Sequence, residues 1–309
     1  MKVFFSPEYV AAAESFDTTR KSGWIAESLV SSPIDGVEIV APKPLEFDQV
    51  TAVHDAAYVT AVQSGEPRDI AESQGFTWDP GMWQSVTVST GGVVAAAIEA
   101  MSNGISGSLS GGLHHARRAR GSGFCTFNGL AIAARAALAN GAASVLIIDV
   151  DAHCGGGTHS LIKDEARIRQ IDVSVNSFDH YEPSGASTLD MVSDAEKYLS
   201  TIGARLADLD RDGWKPSLCL YNSGMDPDER CGIGGLGGIT AEMLRERESM
   251  VIEWFAQRNI PIAFVIAGGY IGARFSREEL VALHRHTIVS SSEIAALTVG
   301  VTRWRGKTV

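Results

Sequence analysis

Short apolar runs rich in β-branched residues recur along this chain, separated by longer stretches whose apolar residues repeat at helical spacing. Residues 3–5, 37–40, 105–109, 145–149, 171–175, 218–221 and 262–266 read as strands. Residues 85–101, 128–139, 191–210, 240–257 and 276–289 read as helices. The run at 144–148 (Ser-Val-Leu-Ile-Ile) is apolar without alternation, the pattern of a strand buried on both faces of a parallel sheet. Alternating strand and helix signals predict an α/β fold with helices on both faces of a mainly parallel sheet. No Pro/Ser-rich linker, internal repeat or low-complexity tract divides the chain, so one domain over residues 1–309 is expected. Residues 64–81 have weak periodicity and read as a long loop.

The reactive residues cluster just after the predicted strands. Asp149, Asp151 and His153 follow the 145–149 run at alternate positions, which puts the three side chains on one face. His114 and His115 follow the 105–109 run through Gly111-Gly112. Asp226 follows 218–221, and Tyr270 follows 262–266 through Gly268-Gly269. In open α/β sheets ligands bind at the carboxyl ends of the strands. Two carboxylates and an imidazole are costly to bury together unless a cation satisfies them, and a divalent metal does so. Taken singly, each feature has a duller reading: paired loop histidines, a turn aspartate, a tight turn with a core aromatic.

Composition narrows the function without choosing it. Hydrophobic residues make up 45% and charged residues 20% of 309, ordinary globular values that allow a sizeable core. The net charge of −11 argues against binding nucleic-acid phosphates. Four cysteines without CxxC pairing do not make a disulfide scaffold. The N-terminus turns polar too soon for a signal peptide, and no apolar run approaches the ~20 residues of a membrane span. A cytoplasmic protein with no membrane partner is the expectation.

Gly112-Leu-His114-His115-Ala116, then Gly123-Phe124-Cys125-Thr-Phe127-Asn128, resembles the signature of the zinc-dependent histone deacetylase family. Asp149-Val-Asp151-Ala-His153-Cys-Gly155-Gly-Gly157 is similar to its metal motif, and Ser223-Gly224-Met225-Asp226 and Gly268-Gly269-Tyr270 to its later blocks, in the same order. The family also includes acetylpolyamine amidohydrolases and acetoin-utilisation proteins, and the likeness runs from His54 to Tyr270. The resemblance implies a three-layer α/β/α fold of the arginase/deacetylase type. It implies a zinc ion held by Asp151, His153 and Asp226, with a coordination position left for water and substrate. His115 would be the general base, with His114 its partner, oriented by Asp149. Tyr270 would donate to the oxyanion. Gly123, Phe124 and Tyr181 would wall an acyl-chain tunnel, and Asp79 would contact the substrate backbone. Carbonyls of Asp149, Asp151 and His153, with Ser174, would hold a structural potassium ion. The implied activity is hydrolysis of an acylated amine, either an acyl-lysine peptide or a small molecule.

Three departures from the family pattern matter. Gly156 stands where an Asn or Asp usually orients the second histidine, so the partner of His115 is expected to be missing. Asp228 occupies a place where a histidine is frequent, and Ile233 lies near a position that carries a glutamate in a polyamine-specific branch. Competing readings remain open. Gly232-Ile-Gly234-Gly235-Leu-Gly237 matches a dinucleotide-binding pattern but does not directly follow a strand. A binuclear manganese ureohydrolase would need more carboxylates than follow His153, although Asp226-Pro-Asp228 mimics part of that pattern. A catalytically weak protein that only binds acylated ligands is the non-enzymatic alternative.

Overall fold

The computed structural model describes residues 1–10 and 17–305, and its strands form a single eight-stranded sheet whose pairings are all parallel. The strands are β1 (Lys2–Phe4), β2 (Glu38–Val40), β3 (Ile105–Ser108), β4 (Val145–Asp149), β5 (Ile168–Ser174), β6 (Thr188–Met191), β7 (Leu218–Ser223) and β8 (Ile262–Ile266). Their order across the sheet is β2-β1-β3-β8-β7-β4-β5-β6. The four strands that precede the reactive residues, β3, β8, β7 and β4, are therefore neighbours at the centre of the sheet. Ten helices complete the described chain: α1 (Asp17–Ser31), α2 (Phe47–Thr51), α3 (Ala56–Ser64), α4 (Arg68–Ala71), α5 (Met82–Asn103), α6 (Gly129–Ala139), α7 (Gly156–Ile162), α8 (Tyr198–Asp212), α9 (Ala241–Gln257) and α10 (Arg277–Arg305).

The two-residue period of the central strands divides the interior into two cores. Leu146, Ile148, Cys219, Tyr221, Phe264 and Ile266 pack on one side with Ile25 of α1, Leu206 of α8, Phe255 of α9 and Leu280 of α10. Val145, Ile147, Leu218, Leu220, Ala263 and Val265 pack on the other with Val59 of α3, Ala96 of α5 and Leu130 of α6. Burying one such side chain stabilises the fold by about 1.5–3 kcal/mol, so both faces of the strands must be apolar. That is why the central strands read as unbroken apolar runs, and why the structure is the three-layer α/β/α arrangement.

The local differences from the sequence reading have physical causes. One helix was expected over 191–210, but Met191 ends strand β6 and α8 starts only at Tyr198. Thr188–Met191 instead pairs with β5 as a short edge strand, and Asp194 caps a 3-10 turn before α8 begins at Tyr198. The helices α1, α2, α3, α4 and α7 were not anticipated; α2, α3, α4 and α7 are too short to show a helical period, and α4 lies inside the expected 64–81 loop. α5 is, by length and composition alone, apolar enough to cross a membrane, contrary to the expectation that no such run exists. It packs against β1, β3, β8 and α6.

The sequence at 128 explains how α6 fixes the histidine loop. Asn128 caps α6 by accepting from the Ala131 N–H at 3.0 Å. Its Nδ2 donates to the carbonyls of His114 and Ala116, both at 3.2 Å. Asn128→Ala is expected to cost about 2 kcal/mol or more, from a cap worth ~1 kcal/mol and buried carbonyls stripped of a donor. Urea unfolding measures it, and a loss below about 0.5 kcal/mol would contradict this account of the cap.

Candidate active site

Four loops at the carboxyl edge of the sheet bring the reactive side chains together. Asp149 is the last residue of β4, and burial there requires every carboxylate lone pair to find a donor. Its Oδ2 lies 2.7 Å from His114 Nδ1, and its Oδ1 accepts from the Asp151 N–H at 3.2 Å and from Asn222 Nδ2 at 2.8 Å. Asp151 Oδ2 accepts from the Gly268 N–H at 2.6 Å, and Asp226 Oδ1 from the Ala152 N–H at 2.9 Å. Gly268 allows no side chain: a Cβ there would sit 2.0 Å from Asp226 Oδ2 and 2.4 Å from Asp151 Oδ2.

Asp151, His153 and Asp226 are all buried, with one ligand atom from each within 4.8 Å of the others. His153 Nδ1 lies 3.1 Å from Asp151 Oδ1 and 3.2 Å from Asp226 Oδ2. Asp226 Oδ2 is buried without a hydrogen-bond partner. A carboxylate oxygen orphaned beside a second carboxylate and an imidazole is the donor set a divalent cation satisfies. This is the one such group of three among the described residues. Asp228 belongs to no second metal position, because Arg230 binds both its oxygens at 2.7 and 2.8 Å.

The titration of the site follows from its charges. Burial alone would push the His153 imidazole down, but Asp151 and Asp226 outweigh it and hold it at about 10. Burial opposes the His114 charge as well, yet Asp149 and Asp151 bring it up to about 10. Burial and the neighbouring His114 charge push His115 down to about 4. Two adjacent imidazoles whose Nε2 atoms lie 3.1 Å apart thus have opposite proton affinities. Burial and the Asp151 charge raise Asp226, and burial with Asp149 beside it brings Asp172 up to about 8.

These shifts set the pH dependence of the metal-free fold. His114 and His153 keep protons in the folded chain that the unfolded chain releases near pH 6.5. Their stabilisation is complete below that pH and is lost as pH rises towards 10. Asp172 has the same sign, with its share gone by about pH 8. The melting temperature of chelator-treated protein is expected to fall from pH 7 to pH 9, and metal saturation to flatten that fall. A metal-free melting temperature that rises over this interval would contradict the assignment.

The site opens on a pocket of about 400 Å³ lined by His115, His153, Tyr270, Gly123, Phe124, Asn176, Phe178 and the segment from Gly232 to Gly234. Phe124 packs against Phe76 with ring centroids 5.4 Å apart and the rings tilted by 38°. Tyr270 is buried against Lys21, whose Nζ lies 5.8 Å from the ring centroid, and burial with the Asp226 and Asp151 charges raises its hydroxyl well above the usual value. His114, His115, Asp149, Asp151, His153, Asp226, Tyr270, Phe124 and Gly123 therefore meet at one place.

Other expected positions are corrected. Tyr181 is not a wall of this pocket; its ring stacks on His159 at 4.5 Å and its hydroxyl donates to the Thr188 carbonyl. Phe178 takes the wall position, edge-on to the rings of His115 and His153. Asp79 accepts from the Gly81 N–H at the start of α5 and does not line the pocket. Ser174 donates to Asp172 at 2.5 Å, a buried carboxylate the sequence reading passed over. The glycines from Gly232 to Gly237 form a rim loop before α9, well after the end of β7, so they cradle no phosphate as a strand-to-helix turn would. His115 does not lack a partner: its Nδ1 lies 3.0 Å from Asp179 Oδ2. Despite burial, His115, Arg117 and the Gly157 N–H hold the Asp179 carboxyl below the usual range. Nothing local in the sequence marks Phe178 or Asp179, since they follow no motif and reach the site through a loop after β5.

Comparison with known proteins bears on the family and the fold. A family model described as a histone deacetylase domain matches residues 15–284. An uncharacterized protein of Picosynechococcus sp. is 32% identical over 245 residues, covering 76% of this chain and 81% of its own length. Histone deacetylase 2 of Arabidopsis thaliana is 26% identical over 299 residues, covering 89% of this chain and 75% of its own. The crystal structure of an acetylpolyamine aminohydrolase from Burkholderia pseudomallei superposes with a TM-score of 0.75 at 18% identity, over 95% of this chain and 99% of that one.

Proposed function

This chain belongs to the histone deacetylase family and is an amide hydrolase, and from that we infer that it removes an acyl group, acetyl foremost, from an amine at a zinc ion held by Asp151, His153 and Asp226. The observation that carries the reading is the buried Asp-His-Asp cluster directly beside His115, whose imidazole is kept neutral, with His115 and His153 facing one open pocket. Zinc held there supplies a Lewis acid that polarises the amide carbonyl and acidifies water.

The residues of the chain do the rest. His115, neutral and with Nε2 directed away from Asp179, takes the proton of the attacking water and passes it to the leaving amine. His114, charged and paired with Asp149, lies with its Nε2 3.1 Å from that of His115, and its charge helps keep His115 neutral. Tyr270 keeps its hydroxyl proton and donates to the oxygen that gains charge as the amide carbon becomes tetrahedral. Phe124 and Phe178 exclude water from the acyl-bearing stem of the substrate.

The lining favours an acyl-lysine or another N-acyl amide over an acylpolyamine. No carboxylate faces the pocket among its lining residues, and Ile233 and Phe178 expose 42% and 48% of their surface at its rim. Free ammonium groups of a polyamine would find no counter-charge there. A potassium ion among the carbonyls of Asp149, Asp151 and His153 with Ser174 is part of the same proposal, supported by the buried carboxyl groups of Asp149 and Asp172 nearby. Turnover of a panel of acyl-lysine peptides and acylpolyamines, with metal content determined on the same sample, tests the reading. Acyl-lysine peptides are expected to turn over faster; a zinc-loaded sample inactive on every amide in the panel overturns it.

A further inference from the structure

We propose that Asp179, from the loop after β5, is the positioning residue that fixes the tautomer of His115, and that the missing side chain at Gly156 is what admits it. The proposal rests on His115 being the base. A carboxylate only accepts hydrogen bonds, so an Asp179 oxygen 3.0 Å from His115 Nδ1 requires the proton on Nδ1. The lone pair is then left on Nε2, the nitrogen that meets the water.

Asp179 is built into place from several sides. The Oδ2 that faces His115 also accepts from the Gly157 N–H at 2.9 Å, and Arg117 binds the other oxygen. The side chain is 6% exposed. Asp179 has a φ of +60°, a left-handed turn conformation that aspartate tolerates better than most non-glycine residues. The Cys154 N–H donates to the Phe178 carbonyl at 3.0 Å, which pins this turn to the segment that carries His153. Phe178 lies 4.9 Å from the His115 ring at 89°, so adjacent residues of one loop hold both a face and a nitrogen of the same imidazole.

Gly156 and Asp179 are two halves of one solution. A Cβ on residue 156 would come within 2.3 Å of the Asp179 carbonyl oxygen and 2.9 Å of its Oδ1. A side chain at 156 and Asp179 in this position exclude each other. Arg117 matches the charge Asp179 brings, so the loop adds an acceptor without adding net charge beside His115.

The test compares the parent with Asp179→Ala, Asp179→Asn, Gly156→Ala and the double variant Gly156→Ala/Asp179→Ala. Each is checked for zinc content, kcat and KM, and each metal-free protein for the His115 tautomer by ¹⁵N NMR. Asp179→Ala is expected to lower kcat about 10–100-fold with KM and zinc unchanged. Asp179→Asn should recover most of that loss, because its carboxamide oxygen still accepts from Nδ1–H. Gly156→Ala should reproduce the Asp179→Ala defect by evicting the carboxylate, and the double variant should be no worse than either single one. NMR should show Nδ1–H in the parent and a tautomer mixture in both single variants. A kcat of Asp179→Ala within twofold of the parent, multiplying losses in the double variant, or an unchanged tautomer would each overturn the proposal. If the zinc-loaded parent is inactive on every amide, the hydrolase reading fails, and the NMR result still decides whether Asp179 sets the tautomer.

Discussion

Asp226→Ala is expected to leave the chain without stoichiometric zinc and to take amide hydrolysis down to background. Three protein ligands are the fewest with which a catalytic zinc site is held, and the removal of one leaves two. Asp226 carries a buried oxygen without a hydrogen-bond partner while its other oxygen accepts from the Ala152 N–H, so zinc content and the zinc-dependent gain in stability are the readouts that isolate its part in metal binding. Its carboxyl is raised by burial and by the Asp151 charge, which means that its ionised form is held at a cost when no cation is present. Zinc at a hundredfold over its dissociation constant stabilises a binding fold by about 2.7 kcal/mol, and only the parent should gain that increment. Calorimetry with and without zinc, alongside metal analysis, reads both effects. A variant that keeps one zinc per chain, or that melts higher on adding zinc as the parent does, removes Asp226 from the ligand set.

Tyr270→Phe is expected to lower kcat by about 10²–10³-fold while zinc content and KM stay near the parent's, the cost of losing one donor to a developing oxyanion. The substitution is conservative for packing: the ring remains buried, and Lys21 Nζ lies 5.8 Å from its centroid. Burial and the Asp226 and Asp151 charges keep the phenol protonated across the working pH range, so the hydroxyl is a donor and not a base. The effect should thus be uniform with pH between about 6 and 9. Equal turnover of the variant and the parent would assign the oxyanion to another donor. A lost zinc ion would instead assign Tyr270 a part in metal binding.

Much of this site was legible along the chain because its residues follow strands. Alternate positions after β4 place Asp149, Asp151 and His153 on one face, and a strand end is a fixed platform whatever lies around it. The His114-His115 and Gly268-Gly269-Tyr270 blocks follow β3 and β8 in the same way, and β3, β8, β7 and β4 are adjacent. The residues that were misplaced lie in loops. Tyr181 and Phe178 are three positions apart after β5, and only the path of that loop decides which of them faces the pocket. Asp79 sits in a turn that satisfies its own carboxylate on the Gly81 N–H.

The sequence by itself determined the alternation of strands and helices, the apolar strands that divide the core in two, and the strand-end residues that can hold a metal and move a proton. Those follow from local periodicity, which a chain carries wherever it folds. Only the tertiary structure decided the order of the strands, the exchange of Tyr181 for Phe178, and the supply of Asp179 to His115 across the gap left at Gly156. Each of these depends on contacts between residues far apart in the chain, and a hydrogen bond between loops leaves no period in the sequence that closes it.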